Sequence, residues 1–561
     1  MRTHRTLAAA LLLALTGTVA QAGTLTPIKH LVVIYQENVS FDHYFATYPV
    51  AANPPGVPPF GPLAGTPRVN NLVSAGLLTH NPNARNPENG KGAVNPFRLS
   101  RAQAHTADQD HAYTAEQLAY NGGKADLFPR YTGRDEHHGK GVFDTPGVVM
   151  GYYDGNTVTA LWNYAQHYAM SDNAYTDTYG PSTPGALEAV SGQTNGLDLV
   201  ATTRAPYGHA LDGQRPPHGT HANERYHVKR GAYSYYIEDG QGGYTLINDV
   251  DPAHDVCSNP HDQVMMKGKN IGDLLSAAHI TWGGFMGGFD LQRTNANGTH
   301  GCHRSTYSPI AGETVKDYIP HHNWFQYYDS TANPTHARPS SVAAIGHTFI
   351  PGTQRRDPAN HEYGLHDFFD AVKAGNFPAV SYLKAPGYQD GHAGYSDPLD
   401  EQAFIVKVIN FLQRQPEWKH TAVIVTWDDS DGWYDHAFAY PTSPSHDPQA
   451  DQLDGPGKCG QGQPLAGLHG KPVNGRCGPG TRIPFLVISP WAKQNYVSHT
   501  RITQASIVRF IEDNWLGGER LGGGSFDAST GSLMDLFDFT GTGKAPRLLL
   551  NEKTGEPVAQ S

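Results

Sequence analysis

The sequence predicts an α/β layered fold: a parallel sheet with helices packed on it and long loops inserted around one end. Three observations predict this. Several apolar runs are continuous rather than alternating, and each ends in a polar cluster; such runs suit strands covered on both faces. Helical periodicities lie between those runs, and alternation of strand with helix marks a layered α/β domain. The 561 residues include 62 Gly and 41 Pro, too many turn residues for a helical bundle and enough for extensive loops.

Taken in order, Arg2, His4 and Arg5 precede an apolar run, and Ala20-Gln21-Ala22 fits a small-x-small cleavage pattern. Residues 1–22 therefore read as a Sec-type signal peptide, too short to span a bilayer. Export to the periplasm or the medium is expected. No later stretch approaches ~18 apolar residues, so no integral membrane segment is expected after cleavage. The strand His30–Tyr35 runs into Gln36-Glu37-Asn38. A helix starts near Ser182, with Ser182 or Thr183 as its cap and Pro184 in its first turn. Asn270–Ala278 is a short helix. The strand Ala379–Leu383 runs into Lys384-Ala385-Pro386. Asp400 caps a helix in which Phe404, Ile405, Val408, Ile409 and Leu412 recur at helical spacing, ended by Pro416. Ala422–Trp427 runs into Asp428-Asp429, Phe485–Ile488 into Ser489-Pro490, and Thr503–Trp515 is the last helix. Residues 23–545 are expected to form one domain with insertions at about 50–145, 195–265 and 290–365, followed by a tail at 546–561.

The formal net charge of −11 excludes a basic, nucleic-acid-gripping surface. Cys257, Cys302, Cys459 and Cys477 are an even number in an exported chain and read as disulfides. Three pairings exist, and the local one, Cys257–Cys302 with Cys459–Cys477, is expected. A cysteine metal site is disfavoured because no CxxC occurs.

In open α/β sheets ligands collect at the carboxyl ends of the strands. Two such ends carry Glu37-Asn38 and Asp428-Asp429. Carboxylates and an amide oxygen are hard ligands for a divalent cation. Asp428-Asp429 alone would read as a solvated turn before Gly432; the matching dyad at another strand end makes it a site. Ser182 at a helix start would place a hydroxyl beside free N–H groups and the positive end of the helix dipole, where phosphate binds; taken alone, it is a helix cap. Among 30 histidines, His392 has the clearest strand-end address. His105 and His111 flank Asp108 and Asp110, His303 follows Cys302, and His436 closes Gly432-Trp433-Tyr434-Asp435-His436. A histidine beside a phosphoryl group can bind metal, donate to oxygen or protonate a leaving group.

Together Gln36-Glu37-Asn38-Val39-Ser40-Phe41-Asp42-His43-Tyr44-Phe45, Gly180-Pro181-Ser182, Gly268-Lys269-Asn270-Ile271-Gly272-Asp273-Leu274-Leu275, Trp427-Asp428-Asp429 and Arg482-Ile483-Pro484 resemble the bacterial phosphoesterase family of acid phosphatase A and the phosphatidylcholine-hydrolysing phospholipases C. The resemblance implies an alkaline-phosphatase-like three-layer sandwich, with a central, mostly parallel sheet between helices. It places Glu37, Asp428 and Asp429 on metal positions, Ser182 on the nucleophile, and Asn38 and His392 on catalytic and phosphate-pocket positions. His105 and His303 are weaker phosphate-binding matches. One divalent ion is implied: Ca²⁺, Mg²⁺ or Mn²⁺ by the oxygen ligands, Zn²⁺ or Fe if histidine joins.

The expected activity is hydrolysis of phosphate monoesters through a phosphoserine at Ser182. The signal segment lacks the adjacent Arg-Arg of the phospholipase branch. Only about 45 residues follow the recognisable core. The turn reads Ser182-Thr183-Pro184-Gly185 rather than Thr followed by Asn-Arg. The alternatives are a phospholipase C acting on a phospholipid head group, and an inactive binding protein on the same scaffold.

Overall fold

The computed structural model describes residues 23–133, 142–207, 234–541, 543 and 545–558. The segment read as a signal peptide lies outside them, as does part of the second insertion. The central sheet has eight strands. In chain order they are β1 (His30–Gln36), β2 (Ala169–Ser171), β3 (Trp282–Met286), β4 (Glu362–Gly364), β5 (Val380–Lys384), β6 (Thr421–Trp427), β7 (Phe485–Ile488) and β8 (Tyr496–Ser498). Across the sheet the order is β4-β3-β5-β1-β6-β7-β2-β8. Every neighbouring pair is parallel except β7 with β6 and with β2. The fold is thus mixed α/β on a mostly parallel sheet. Burial on both faces makes a strand continuously apolar in either direction, so the run Phe485–Ile488 gave no sign of its reversal.

Helices cover both faces. On β1 and β5, Tyr35 and Tyr382 share a side and donate to Gly185 O and Ala189 O of the helix Ser182–Ser191. Trp427, in register with Gln36, has the opposite parity and donates to Glu401 of the helix Pro398–Gln413. Leu31 to Tyr35 and Ala422 to Val425 are fully buried between these layers.

Two helix caps differ from the sequence reading. Asp397, not Asp400, caps Pro398–Gln413, accepting from the N–H groups of Leu399 and Asp400. Pro181 is the N-cap of Ser182–Ser191, so Ser182 already lies inside the first turn and its hydroxyl is free to face elsewhere. The insertions are ordered where described. The first contains the helix Tyr113–Tyr120, packed with Phe128, Tyr179 and Tyr434 in a second apolar cluster. The second carries a three-stranded sheet, and the third ends in β4. The tail is clamped: Asn410 and Gln413 each exchange two hydrogen bonds with the backbone of Leu550 and Leu548. Cys257 is bonded to Cys302, and Cys459 to Cys477. Among the described residues no helix is long and apolar enough to cross a membrane.

Ile424 sits at the centre of β6, fully buried. Ile424→Ala is expected to lower unfolding free energy by about 2–5 kcal/mol in denaturant titration; a loss under about 1 kcal/mol would contradict this placement.

Candidate active site

Register brings the two dyads together. Gln36 pairs with Trp427, so the next residues, Glu37 and Asp428, leave the sheet side by side, and Ile34 pairs with Leu383, which puts Lys384 beside them. Beyond β1 the chain turns at Asn38, whose φ of 58° is a left-handed conformation that asparagine tolerates. The turn is held by Asn38 N–H on Asp428 Oδ1 at 3.1 Å and Val39 N–H on Asp429 O at 2.9 Å. The helix Ser182–Ser191 approaches so closely that a Cβ on Gly185 would collide with Asp428 O.

Ser182 Oγ consequently lies 2.9 Å from Glu37 Oε2, 3.1 Å from Asp429 Oδ2 and 3.2 Å from the inward end of the Asn38 amide. That end is also 2.7 Å from Glu37 Oε2, 3.0 Å from Asp428 Oδ1 and 3.2 Å from Asp429 Oδ2. All five residues are buried. The amide can face either way. With its NH₂ inward, it donates to the carboxylates and its carbonyl accepts from His392 Nε2 at 2.9 Å and His111 Nε2 at 3.3 Å. With its carbonyl inward, its NH₂ donates to those two ring nitrogens. His392 Nδ1 lies 2.6 Å from Ala393 O and His111 Nδ1 3.2 Å from Gln109 O, each able to donate there. Burial lowers the His392 pKa and favours the neutral ring.

The second orientation leaves Glu37 Oε2, Asn38 Oδ1, Asp428 Oδ1, Asp429 Oδ2 and Ser182 Oγ converging with only the serine proton among them. The inward Asn38 oxygen and Ser182 Oγ each lie 2.7–3.2 Å from the carboxylate oxygens they face, close enough to share one small cation. A divalent cation fits this donor set. Without one the charges are poorly tolerated: burial, then Glu37, push Asp428 up to about 7, and burial, then Asp428, raise Asp429 well above the carboxylate range. Glu37 and Asp428 each turn their other oxygen to the buried ammonium of Lys384, which bonds Glu37 Oε1 and lies 3.2 Å from Asp428 Oδ2. Although burial works to raise Glu37, Lys384 holds it below the usual range.

Around this cluster lie histidines. His322 Nδ1 is 3.0 Å from Glu37 Oε1. His321 is 3.5 Å from Asp251 and lines a cavity of about 210 Å³ with Arg204, Tyr235, Asp249 and Asp262. Burial pulls the His321 imidazolium down, but Asp251 and Asp249 more than offset it and push it up to about 9. Asp249 accepts from both the N–H and the hydroxyl of Thr183. That helix-terminal N–H, expected to hold phosphate, is therefore engaged.

Thus Glu37, Asn38, Ser182, Asp428 and Asp429 are brought together, with His392 behind Asn38. His105 lies at the edge, 3.2 Å from Gly394 O, and it is His111 that reaches Asn38. His303 is exposed in the turn Gly301–His303, beside the Cys257–Cys302 bridge and away from this contact network. Sequence reading missed Lys384, His321 and His322, and named His111 but chose its neighbour His105. Two signals were available: a lysine closing an apolar strand, and a His-His pair after Pro320. Among the described residues three side-chain groups are close enough to share an ion: His111–His392–Asp431, Asp42–Asp435–His436 and Asp255–Cys257–His336. Arg482 fills the second, 3.1 Å from Asp42 and 3.0 Å from Asp435, and Cys257 of the third is in a disulfide. The first borders the five oxygens.

A family model described as the Phosphoesterase family matches residues 28–516. The chain is 24% identical over 501 residues to a non-hemolytic phospholipase C of Pseudomonas aeruginosa, covering 88% of this chain and 54% of the relative. It is 23% identical over 530 residues to a hemolytic phospholipase C of the same species, covering 93% and 57%. It is 22% identical over 485 residues to phospholipase C A of Mycobacterium tuberculosis, covering 84% and 69%. The chain spans little more than half the length of the Pseudomonas relatives.

His321 supplies a pH test. Its folded pKa of about 9 exceeds the ordinary 6.5, so the stability it contributes is full below pH 6.5 and lost as pH rises through about 9. In His321→Gln, the fall of Tm across that window should flatten; an unchanged Tm–pH profile would contradict the assignment.

Proposed function

The chain belongs to the phosphoesterase family, and on that premise we propose that it hydrolyses phosphoric esters with Ser182 as nucleophile. The observation that carries this reading is Ser182 Oγ held among Glu37, Asn38 and Asp429 at the mouth of the parallel strands. Asn38 Oδ1, Ser182 Oγ and the carboxylates of Glu37, Asp428 and Asp429 would hold one divalent cation, which when bound supplies positive charge to the phosphoryl oxygens and favours the serine alkoxide. One further group close enough to share an ion, His111–His392–Asp431, borders these oxygens and fits a metal-dependent phosphoesterase.

The chain's own residues do the rest. Glu37 and Asp429 accept from the Ser182 hydroxyl and aim it. Ser182 Oγ passes its proton to the Asp429 carboxylate 3.1 Å away and attacks phosphorus in line; the new O–P bond forms as the bond to the leaving oxygen breaks. His321, protonated at neutral pH, is the residue we assign to give that oxygen its proton. His392, with both ring nitrogens engaged, instead holds the Asn38 amide. Water then cleaves the phosphoserine and releases phosphate. The three-layer arrangement supports placing the sheet in the alkaline-phosphatase-like group, and two disulfides support export to an oxidising compartment.

For the substrate we favour a small phosphate monoester. The cavity beside Thr183 is lined by the charged groups of Asp249, Asp251, Asp262, Arg204 and His321 together with Tyr235 and Val250, and at about 210 Å³ it suits a small charged ester. The second reading, a phosphodiester bearing a phospholipid head group, is favoured by the names of the relatives.

Ser182→Ala should lose most turnover, about 10³-fold or more by analogy with other nucleophile removals, while circular dichroism stays unchanged. Near wild-type activity would contradict the nucleophile assignment. p-Nitrophenyl phosphate should be hydrolysed faster than p-nitrophenylphosphorylcholine. Exclusive turnover of the second would establish the diester reading, and turnover of neither, across pH and divalent cations, would favour an inactive binding protein.

A further inference from the structure

We propose that Glu116, which touches none of the five converging residues, is the positioning residue that sets Ser182 against the Asp428-Asp429 pair. The inference rests on the Ser182 reading above. Glu116 lies in the helix Tyr113–Tyr120 of the first insertion and is buried. Its carboxylate receives donors from three separate loops: Gly180 N–H at 3.0 Å, the Ser430 hydroxyl at 2.5 Å and the Thr481 hydroxyl at 3.3 Å.

Each donor sits next to a part of the site. Gly180 is two residues before Ser182. Ser430 directly follows Asp429, and its oxygen accepts from Gly432 N–H at 3.1 Å, which leaves its proton for Glu116. Thr481 precedes Arg482, the buried guanidinium that ties Asp42 of the first strand-end segment to Asp435. One side chain thus fixes the nucleophile turn, the acidic turn and the Arg482 loop relative to one another.

Two further observations show that the group is held for its acceptor atoms. Gly180 has φ 121°, a conformation other residues rarely adopt, and a Cβ there would lie 2.7 Å from Ile247 O. The turn is therefore constrained from the far side as well, and Glu116 is the partner of its N–H. Second, burial pushes the Glu116 carboxyl up to about 7 even though Ser430, Gly180 and Thr481 all favour the ionised form. An apolar side chain of similar size would fill the space at lower cost, so packing alone does not account for an acid here.

The test uses Glu116→Ala and Glu116→Gln in the full chain, with whichever p-nitrophenyl ester the wild type hydrolyses, and Ser182→Ala in parallel. In the alanine variant kcat should fall about 10²-fold, as for a misplacement of roughly 1 Å, while KM hardly changes. Glutamine keeps the shape and one acceptor but loses the other, so its kcat should fall less than the alanine variant's, by several-fold and no more than about 10-fold, at unchanged KM. A folded alanine variant with wild-type kcat, or one in which only KM rises, would overturn the proposal. Should the alanine variant fail to fold, the glutamine variant decides: reduced kcat at unchanged KM supports the proposal, and wild-type kcat overturns it. Activity in Ser182→Ala would instead overturn the nucleophile reading, so the two failures are distinguishable.

Discussion

Everything at the mouth of the sheet follows from oxygen crowding. Glu37, Asp428 and Asp429 are carried side by side out of β1 and β6 by a register that the apolar core enforces. Parallel strands cannot slip by one residue without turning every side chain to the other face, so the crowding is built in. Buried carboxylates about 3 Å apart need protons or cations. Lys384 supplies one fixed positive charge on the side facing β5. The remaining oxygens, joined by Asn38 and Ser182, are the ones we propose hold a second positive charge, a divalent cation. The same electrostatic demand accounts for a lysine at the end of an apolar strand and for an amide carbonyl aimed at acceptors.

The histidines divide by environment rather than by sequence. His111 and His392, each within reach of a backbone carbonyl through Nδ1, turn Nε2 toward Asn38 and steer it. His321, between Asp249 and Asp251, is held as a cation beside the cavity. The ring with the clearest strand-end address is thus better placed to orient a ligand, and the ring inside an unstructured-looking stretch is better placed to move a proton.

This division marks how far the sequence could be read. Long core strands announced themselves through continuous apolar runs, and four of the five converging oxygens through strand-end dyads. From spacing alone Ser182 was legible only as a helix start, and its nucleophile position came from the family resemblance. β2 and β8 have three residues each, too few for any periodicity. The direction of β7 left no trace because both its faces are buried. Choosing His111 over His105 requires knowing which ring turns toward Asn38, and both lie in similar Asp/His-rich sequence. Glu116 sits in a short helix of an insertion and acts through Gly180, Ser430 and Thr481, contacts that join positions 64, 314 and 365 residues apart.

The central claim is that one divalent cation completes the oxygen cluster. Elemental analysis of the purified full-length chain, beside Asp429→Asn, tests it most directly. One equivalent of divalent metal per chain is expected in the wild type, with a marked loss in the variant. A fully active wild type containing no divalent metal would contradict it.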